Sequence, residues 1–525
     1  KAERTASPLR EETRGCSIDS SDRSHGRGCS VPDLPERFMH WKMTFRILFT
    51  ATVIAGVVVS TRTSSGVEPA ETSGVAVRTA EGAAPAGGVA LQSSGRHFVG
   101  VGGCSAANCH GGDGTKGTVG SEYSIWIQDD KHAEAYSVLY NETSQRMAKL
   151  MKLDKPAHQA ALCLNCHAPE NDPPFSGENT HGSRSALLDG VSCEACHGAA
   201  SDWLGPHVRH DWAKQSPEEK AALGYRETKN LWDRSKVCAD CHVGEPGRDV
   251  NHDLYAAGHP RLFFEMSAFH ANMPAHWDRN DDRGRAGPDR DNSSFEAKLW
   301  AIGQLASAEA ALDLLVHRAE NTRDDFVLQD KNAKYPSGET VAVWPEFSET
   351  GCFACHHNLD SPSWRQKRGY TSRNAGGYPW GTWLFPILPT VVKSSGASDL
   401  ASSDSSLSKL IREMSRPYPN REAVVSNARD LQSILTKSAA SIDAQRLSAD
   451  QITGWLKGVS VTGNSASQQS WDGATQSWLS LTAIHQGLTD VSGSTGQPSE
   501  KSQQINKSLE QIRTHLEFPK GFDSP

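Results

Sequence analysis

Ten of the twelve cysteines in this 525-residue chain fall in five pairs, and each pair is followed at once by a histidine. Four read C-x-x-C-H: Cys163–Cys166–His167, Cys193–Cys196–His197, Cys238–Cys241–His242 and Cys352–Cys355–His356. One is stretched by two residues, Cys104-Ser-Ala-Ala-Asn-Cys109-His110, with glycine pairs on both sides. C-x-x-C-H is the attachment sequence of c-type haem. Two thiols add to the two vinyl groups of one porphyrin, so they must stand a short, fixed distance apart. The next residue then carries an imidazole to the iron as proximal ligand.

Other readings of the pattern fail. With cysteine and histidine this scarce, one accidental C-x-x-C-H arises in about one chain per hundred of this length, and four do not arise together. Zinc sites use C-x-x-C pairs but do not need a histidine directly after every pair. A redox dithiol needs one pair. The cysteines therefore predict five covalently bound haem c groups.

Hydrophobic content is 37% and aromatic content 7%, low for a chain of this length. Five porphyrins supply apolar mass that side chains would otherwise provide. The net charge of −8 comes with no basic block of the kind that binds nucleic acid, so no nucleic-acid partner is expected.

Residues 47–60 form a mostly apolar run after Lys42 and Arg46, the pattern of a secretory signal over 43–62. The run is short for a membrane span, which needs about 20 residues. It predicts export to the periplasm or another extracytoplasmic space, with membrane association only if the signal is uncleaved. Residues 1–42 are polar and lack methionine before Met39. They are expected to be over-extended reading frame, with translation starting at Met39 or Met43, and Cys16 and Cys29 there carry no haem pattern.

The fold class expected is mainly α with extensive loops. A multihaem cytochrome c core, organised around five covalently bound haems over 97–390, is followed by a C-terminal helical bundle over 407–525. Residues 63–96 read as a flexible leader and 391–406 as a Ser-rich linker. Apolar spacing predicts helices over 122–152 and 294–320, with 278–293 a solvated loop. Further helices are expected near 407–415, 420–438, 447–457, 467–487 and 499–515, with Asn420 and Ser448 as N-caps.

The occupant of each iron's sixth position separates electron transfer from catalysis, because an open position admits substrate. The candidates inside the haem region are His97, His132, His158, His181, His207, His210, His252, His259, His270, His276, His317 and His357. His357 directly follows a proximal histidine and would have to turn away from that haem.

The succession Trp126…Asp130-Lys-His132-Ala133, Cys163-Leu-Asn-Cys-His, Gly190-Val-Ser-Cys-Glu-Ala-Cys-His-Gly198, Gly205-Pro-His207 and Cys238-Ala-Asp-Cys-His resembles the cytochrome c-554 family of tetrahaem electron carriers over about residues 100–245. The resemblance implies His132 as ligand opposite His197 and His207 as ligand opposite His110. It also implies that the iron of His167 lacks a protein sixth ligand. Beyond 245 the chain departs from the tetrahaem pattern. Asn251-His252…Gly258-His259-Pro260-Arg261 looks like a distal-ligand segment of larger multihaem cytochromes. It makes His259 the leading distal ligand for the fourth or fifth haem, then His252, then His276. Arg261, Arg365 and Lys367 are candidates to meet haem propionates, and Asp189, Glu194 and Asp240 are read as structural or solvated.

No cysteine is followed by lysine, unlike the pentahaem nitrite reductases, and the haem count falls short of hydroxylamine oxidoreductase. The reading favoured is therefore an extracytoplasmic carrier passing electrons between redox partner proteins. The alternative is a haem oxidoreductase acting on a small nitrogen or sulfur compound at an open iron opposite His167. A haem-bearing sensor or scaffold, with the C-terminal bundle as interaction module, is the third class.

Overall fold

The computed structural model describes residues 96–115, 119–169, 187–277, 294–322, 344–356, 377–396, 399–467, 470–491 and 499–517. The signal, the preceding stretch, nearly all of the leader, the 278–293 loop, His181, His357, Arg365 and Lys367 lie outside the described residues. Among the described residues the chain is helical. Extended pairing is confined there to two isolated bridges, Glu245 with Arg248 and Thr350 with Trp380.

From 96 to 277 the helices are short. The single helix expected over 122–152 is broken into Glu122–Asp129, two 3-10 turns and Glu142–Leu150. Two side chains make the breaks. Asp130 is extended and its carboxylate accepts from the His132 backbone N–H at 3.0 Å. Asn141 is extended and accepts from the Ser144 N–H at 2.8 Å. Short polar side chains that capture backbone donors end one helix and cap the next. The apolar stripe that suggested continuity spans all the pieces.

The helix expected over 294–320 is Phe295–Asn321. It is apolar nearly all round, which suits either a membrane span or a helix enclosed by protein. Here 89% of its most apolar window is buried inside the protein. Trp300, Leu305 and Leu312 are fully covered. The helix packs against Leu231–His242 and Met266–Asn272 on the haem-motif side, and against Leu388–Ser394, Arg421–Ala444 and Trp471–Val491 on the other. One apolar cluster runs through all of them, so the C-terminal helices share a core with the motif-bearing region.

The C-terminal helices are Ser406–Met414, Arg421–Ala444, Ala449–Ser467, Trp471–Val491 and Glu500–Leu516. Two run longer than apolar spacing suggests, because Ala439, Ile442 and Val459 are buried beyond the expected ends. Asn420 caps through the Ala423 N–H. Ser448 and Gln451 exchange side chain-to-backbone bonds in a capping box. The segment 391–406 begins inside the Leu388–Ser394 helix, and Val391, Val392 and Leu400 are buried in the common core. Its serines made it read as a linker; its apolar residues pack.

Two buried arginines tie distant segments. Arg318 bonds Asp249 through two nitrogens at 3.0 and 2.6 Å and Glu349 at 2.6 Å. Arg261 holds Asp472 in a two-point pair at 3.0 and 2.8 Å.

Candidate functional site

The five motifs occupy two kinds of local structure. Ala161–His167, Cys193–His197 and Leu231–His242 are helices that end on the motif histidine, whereas Cys352–Ala354 is a single 3-10 turn. Cys104 follows the 3-10 turn Val101–Gly103. A C-x-x-C-H run in a helical turn brings both sulfurs and the imidazole to one side. Burial pushes the Cys163 thiol up to about 11 and those of Cys196 and Cys238 to about 12. Such sulfurs stay protonated and are poor thiolate metal ligands. Among the described residues, no group of three or more His, Cys, Asp or Glu side chains converges on one point.

Histidines converge in pairs instead. The rings of His110 and His207 face each other with centres 6.3 Å apart and planes 15° from parallel. His252 and His356 stand 6.2 Å apart at 26°. His132 and His242 stand 6.0 Å apart at 78°. Two metal–imidazole bonds of about 2 Å, plus the ring radii, put ring centres about 6 Å apart across one metal atom. Each pair joins a motif histidine to one distant in sequence.

The ring orientations fit the same use. A ring nitrogen facing a carboxylate or carbonyl oxygen must carry the proton, because those oxygens only accept. Nδ1 is held this way in His110 by Glu122 at 2.9 Å and in His132 by Asp130 at 2.9 Å. It is held in His167 by the Ala135 carbonyl at 2.8 Å, in His259 by Pro260 at 2.8 Å and in His207 by Leu204. Nε2 is then the nitrogen left to bind a metal, the usual arrangement around metal-bound histidine. The Glu122 hydrogen bond raises the His110 pKa. At His132 burial acts downward, and the Asp130 carboxylate outweighs it. Burial drives His197 and His242 down to about 4, keeping both imidazoles neutral as ligation requires.

The motifs are also bolted to one another. Glu194, inside the third motif and almost fully buried, accepts from the N–H groups of Val99, Gly100 and Ala200 at 3.0, 2.7 and 2.7 Å. It thereby fixes the approach to the first motif against the third. Cys104 lies close to Cys193, and Cys166 close to Cys241. Gly190 sits at φ +66°, and a Cβ there would come within 2.7 Å of the His132 carbonyl. Val191 N–H donates to that same carbonyl at 3.1 Å. The two stretches that carry the strongest family resemblance, 190–198 and His132-Ala133, are therefore in backbone contact.

Several expectations change. The resemblance implies His132 opposite His197; its ring stands edge-on to that of His242, centres 6.0 Å apart. Its backbone carbonyl accepts from the Val191 N–H beside the third motif, and Asp130 holds its Nδ1. His259 is expected at the fourth or fifth motif, but His242 and His356 are already paired with His132 and His252. Arg261 is expected at a propionate; its guanidinium is held by Asp472. His158 stacks on Tyr140 at 4.2 Å, His317 bonds Asn321, and His270 receives Arg234, ordinary roles for histidine. The carboxylates that hold Nδ1 of His110 and His132, Glu122 and Asp130, were missed. The Asp-x-His spacing at 130–132 was the available signal for the second.

Residues 82–198 match the family model described as cytochrome c554 and c-prime. That stretch spans the first three motifs, His132 and Glu194. No curated protein matches the chain. No solved structure matches it either.

Proposed function

Given the match of residues 82–198 to the cytochrome c554 and c-prime family model, we propose that the chain is an exported pentahaem c-type cytochrome carrying electrons between redox partner proteins. The carrying observation is the set of paired imidazoles. Three motif histidines each meet a distant histidine at 6.0–6.3 Å, the spacing across one iron. Haem held there supplies one-electron iron chemistry, and two imidazoles per iron leave no position for substrate.

On this reading His110 and His207 ligate the first iron, His132 and His242 the fourth, and His252 and His356 the fifth. The third falls to His197 and His276. Both are half-buried, and a charge on His276 weighs against one on His197. Ten cysteines, Cys104 and Cys109 through Cys352 and Cys355, hold the porphyrins by thioether bonds. Side-by-side cysteines from motifs one and three, and two and four, support close spacing of their haems. Export rests on the apolar run at 47–60 and on the cysteine chemistry itself.

Covalent haem counting tests the proposal. The full chain, made in a host that attaches haem c outside the cytoplasm, should retain five haems per molecule by intact mass after denaturation. Replacing Cys163 and Cys166 together by alanine should remove one. A count below five in the unmodified chain, or haem lost on acid extraction, overturns it.

A further inference from the structure

On the reading above four irons have their histidine pairs; His167 is the motif histidine left, and the structure packs the helix that precedes His259 against its motif. The His252–Ala257 helix starts on Asn251, whose side chain accepts from the Leu254 N–H at 3.1 Å. It ends in a Schellman motif. Gly258, at φ +115°, donates to the Tyr255 carbonyl at 3.0 Å, and His259 donates from its backbone to Leu254 at 2.9 Å. His259 is thus rigidly placed by the helix it follows, and its Nδ1 is occupied by the Pro260 carbonyl.

That helix lies against the second motif. Leu254 and Ala257 pack in one apolar cluster with Leu162, the residue before Cys163. Asn165, between the two cysteines, donates to Gly247 at 2.7 Å and accepts from Arg248 at 2.8 Å. The segment leading into the helix is therefore fastened to the second motif at two points.

We propose that His259 supplies the sixth ligand to the iron held by Cys163, Cys166 and His167, so that the His252–Ala257 helix carries an axial ligand for two haems, one at each end. This rests on the pentahaem reading above. The helix spans about 9 Å at 1.5 Å per residue, so the fifth haem is an extension of the relay at the second. The iron that the family resemblance leaves open is closed here, and the small nitrogen or sulfur substrate loses its site.

The test is ferric electron paramagnetic resonance on the full haem-loaded chain, with spin quantified per molecule. The unmodified protein should show no high-spin iron. His259→Ala should open one, and added imidazole should return it to low spin. His252→Ala should open one as well, and the double variant should open two. A high-spin iron in the unmodified protein that His259→Ala leaves unchanged overturns the proposal. So does a double variant that opens a single iron, since both histidines would then serve one haem. If His259→Ala fails to mature, His259→Met keeps a ligand and should raise the potential of one haem alone; five unchanged potentials overturn the assignment. Haem number by mass is read separately, so fewer than five haems defeats the pentahaem reading, whereas five haems with a native open iron defeats only this one.

Discussion

Residues 96–277 and the Phe295–Asn321 helix with its C-terminal neighbours are held together by different means. In the first region the helices are mostly under ten residues, and away from the shared core the apolar clusters are small, one built on Tyr136, Leu139 and Leu164 and another on Met151, Leu254 and Ala257. Order there comes from caps, a buried carboxylate and histidines whose rings face across gaps. In the second, one continuous cluster buries Trp300, Leu305, Leu312, Leu431 and Val459 completely or nearly so. The first region relies on short-range polar contacts and small clusters, and the second on one continuous apolar core.

The sharpest way to break that contrast is to withhold haem. Chain produced without haem attachment should lose residues 96–230 to limited proteolysis, while a fragment starting near Phe295 persists. Uniform digestion of the whole chain would end the distinction. Next in size is Arg318→Ala. It leaves Asp249 and Glu349 buried without their counter-charge, and removing one partner of a buried pair costs about 3–5 kcal/mol. Denaturant unfolding of the haem-loaded protein should show that loss. Glu194→Gln removes the charge from bonds that join motifs one and three, and should cost about 1.5–3 kcal/mol. It should also shift the potential of at least one of those two haems, which a purely apolar core substitution of equal cost would leave alone. The smallest effect belongs to Arg429→Ala, whose pair with Glu320 is exposed and contributes under about 1 kcal/mol.

The same contrast explains what could be read in advance. The Phe295–Asn321 helix and the starts of the C-terminal helices follow apolar spacing and cap chemistry, both of which are local. The cysteine–histidine motifs are local too. What escaped was non-local. Whether His132 meets His197 or His242 depends on a carboxylate two residues away and on a backbone contact with Gly190. Whether 391–406 hangs free depends on what Val391 and Leu400 find to pack against. Helix 122–152 failed because Asp130 and Asn141 captured backbone donors in the middle of a sound apolar stripe.

The pair between Arg261 and Asp472 bears on how such a chain can be divided. Arg261 stands two positions after His259, and Asp472 lies in the first turn of the Trp471–Val491 helix, where it also receives the Thr382 hydroxyl. Cutting the chain at 406 would strand a buried guanidinium beside a proposed iron ligand. The C-terminal helices are therefore not a detachable accessory.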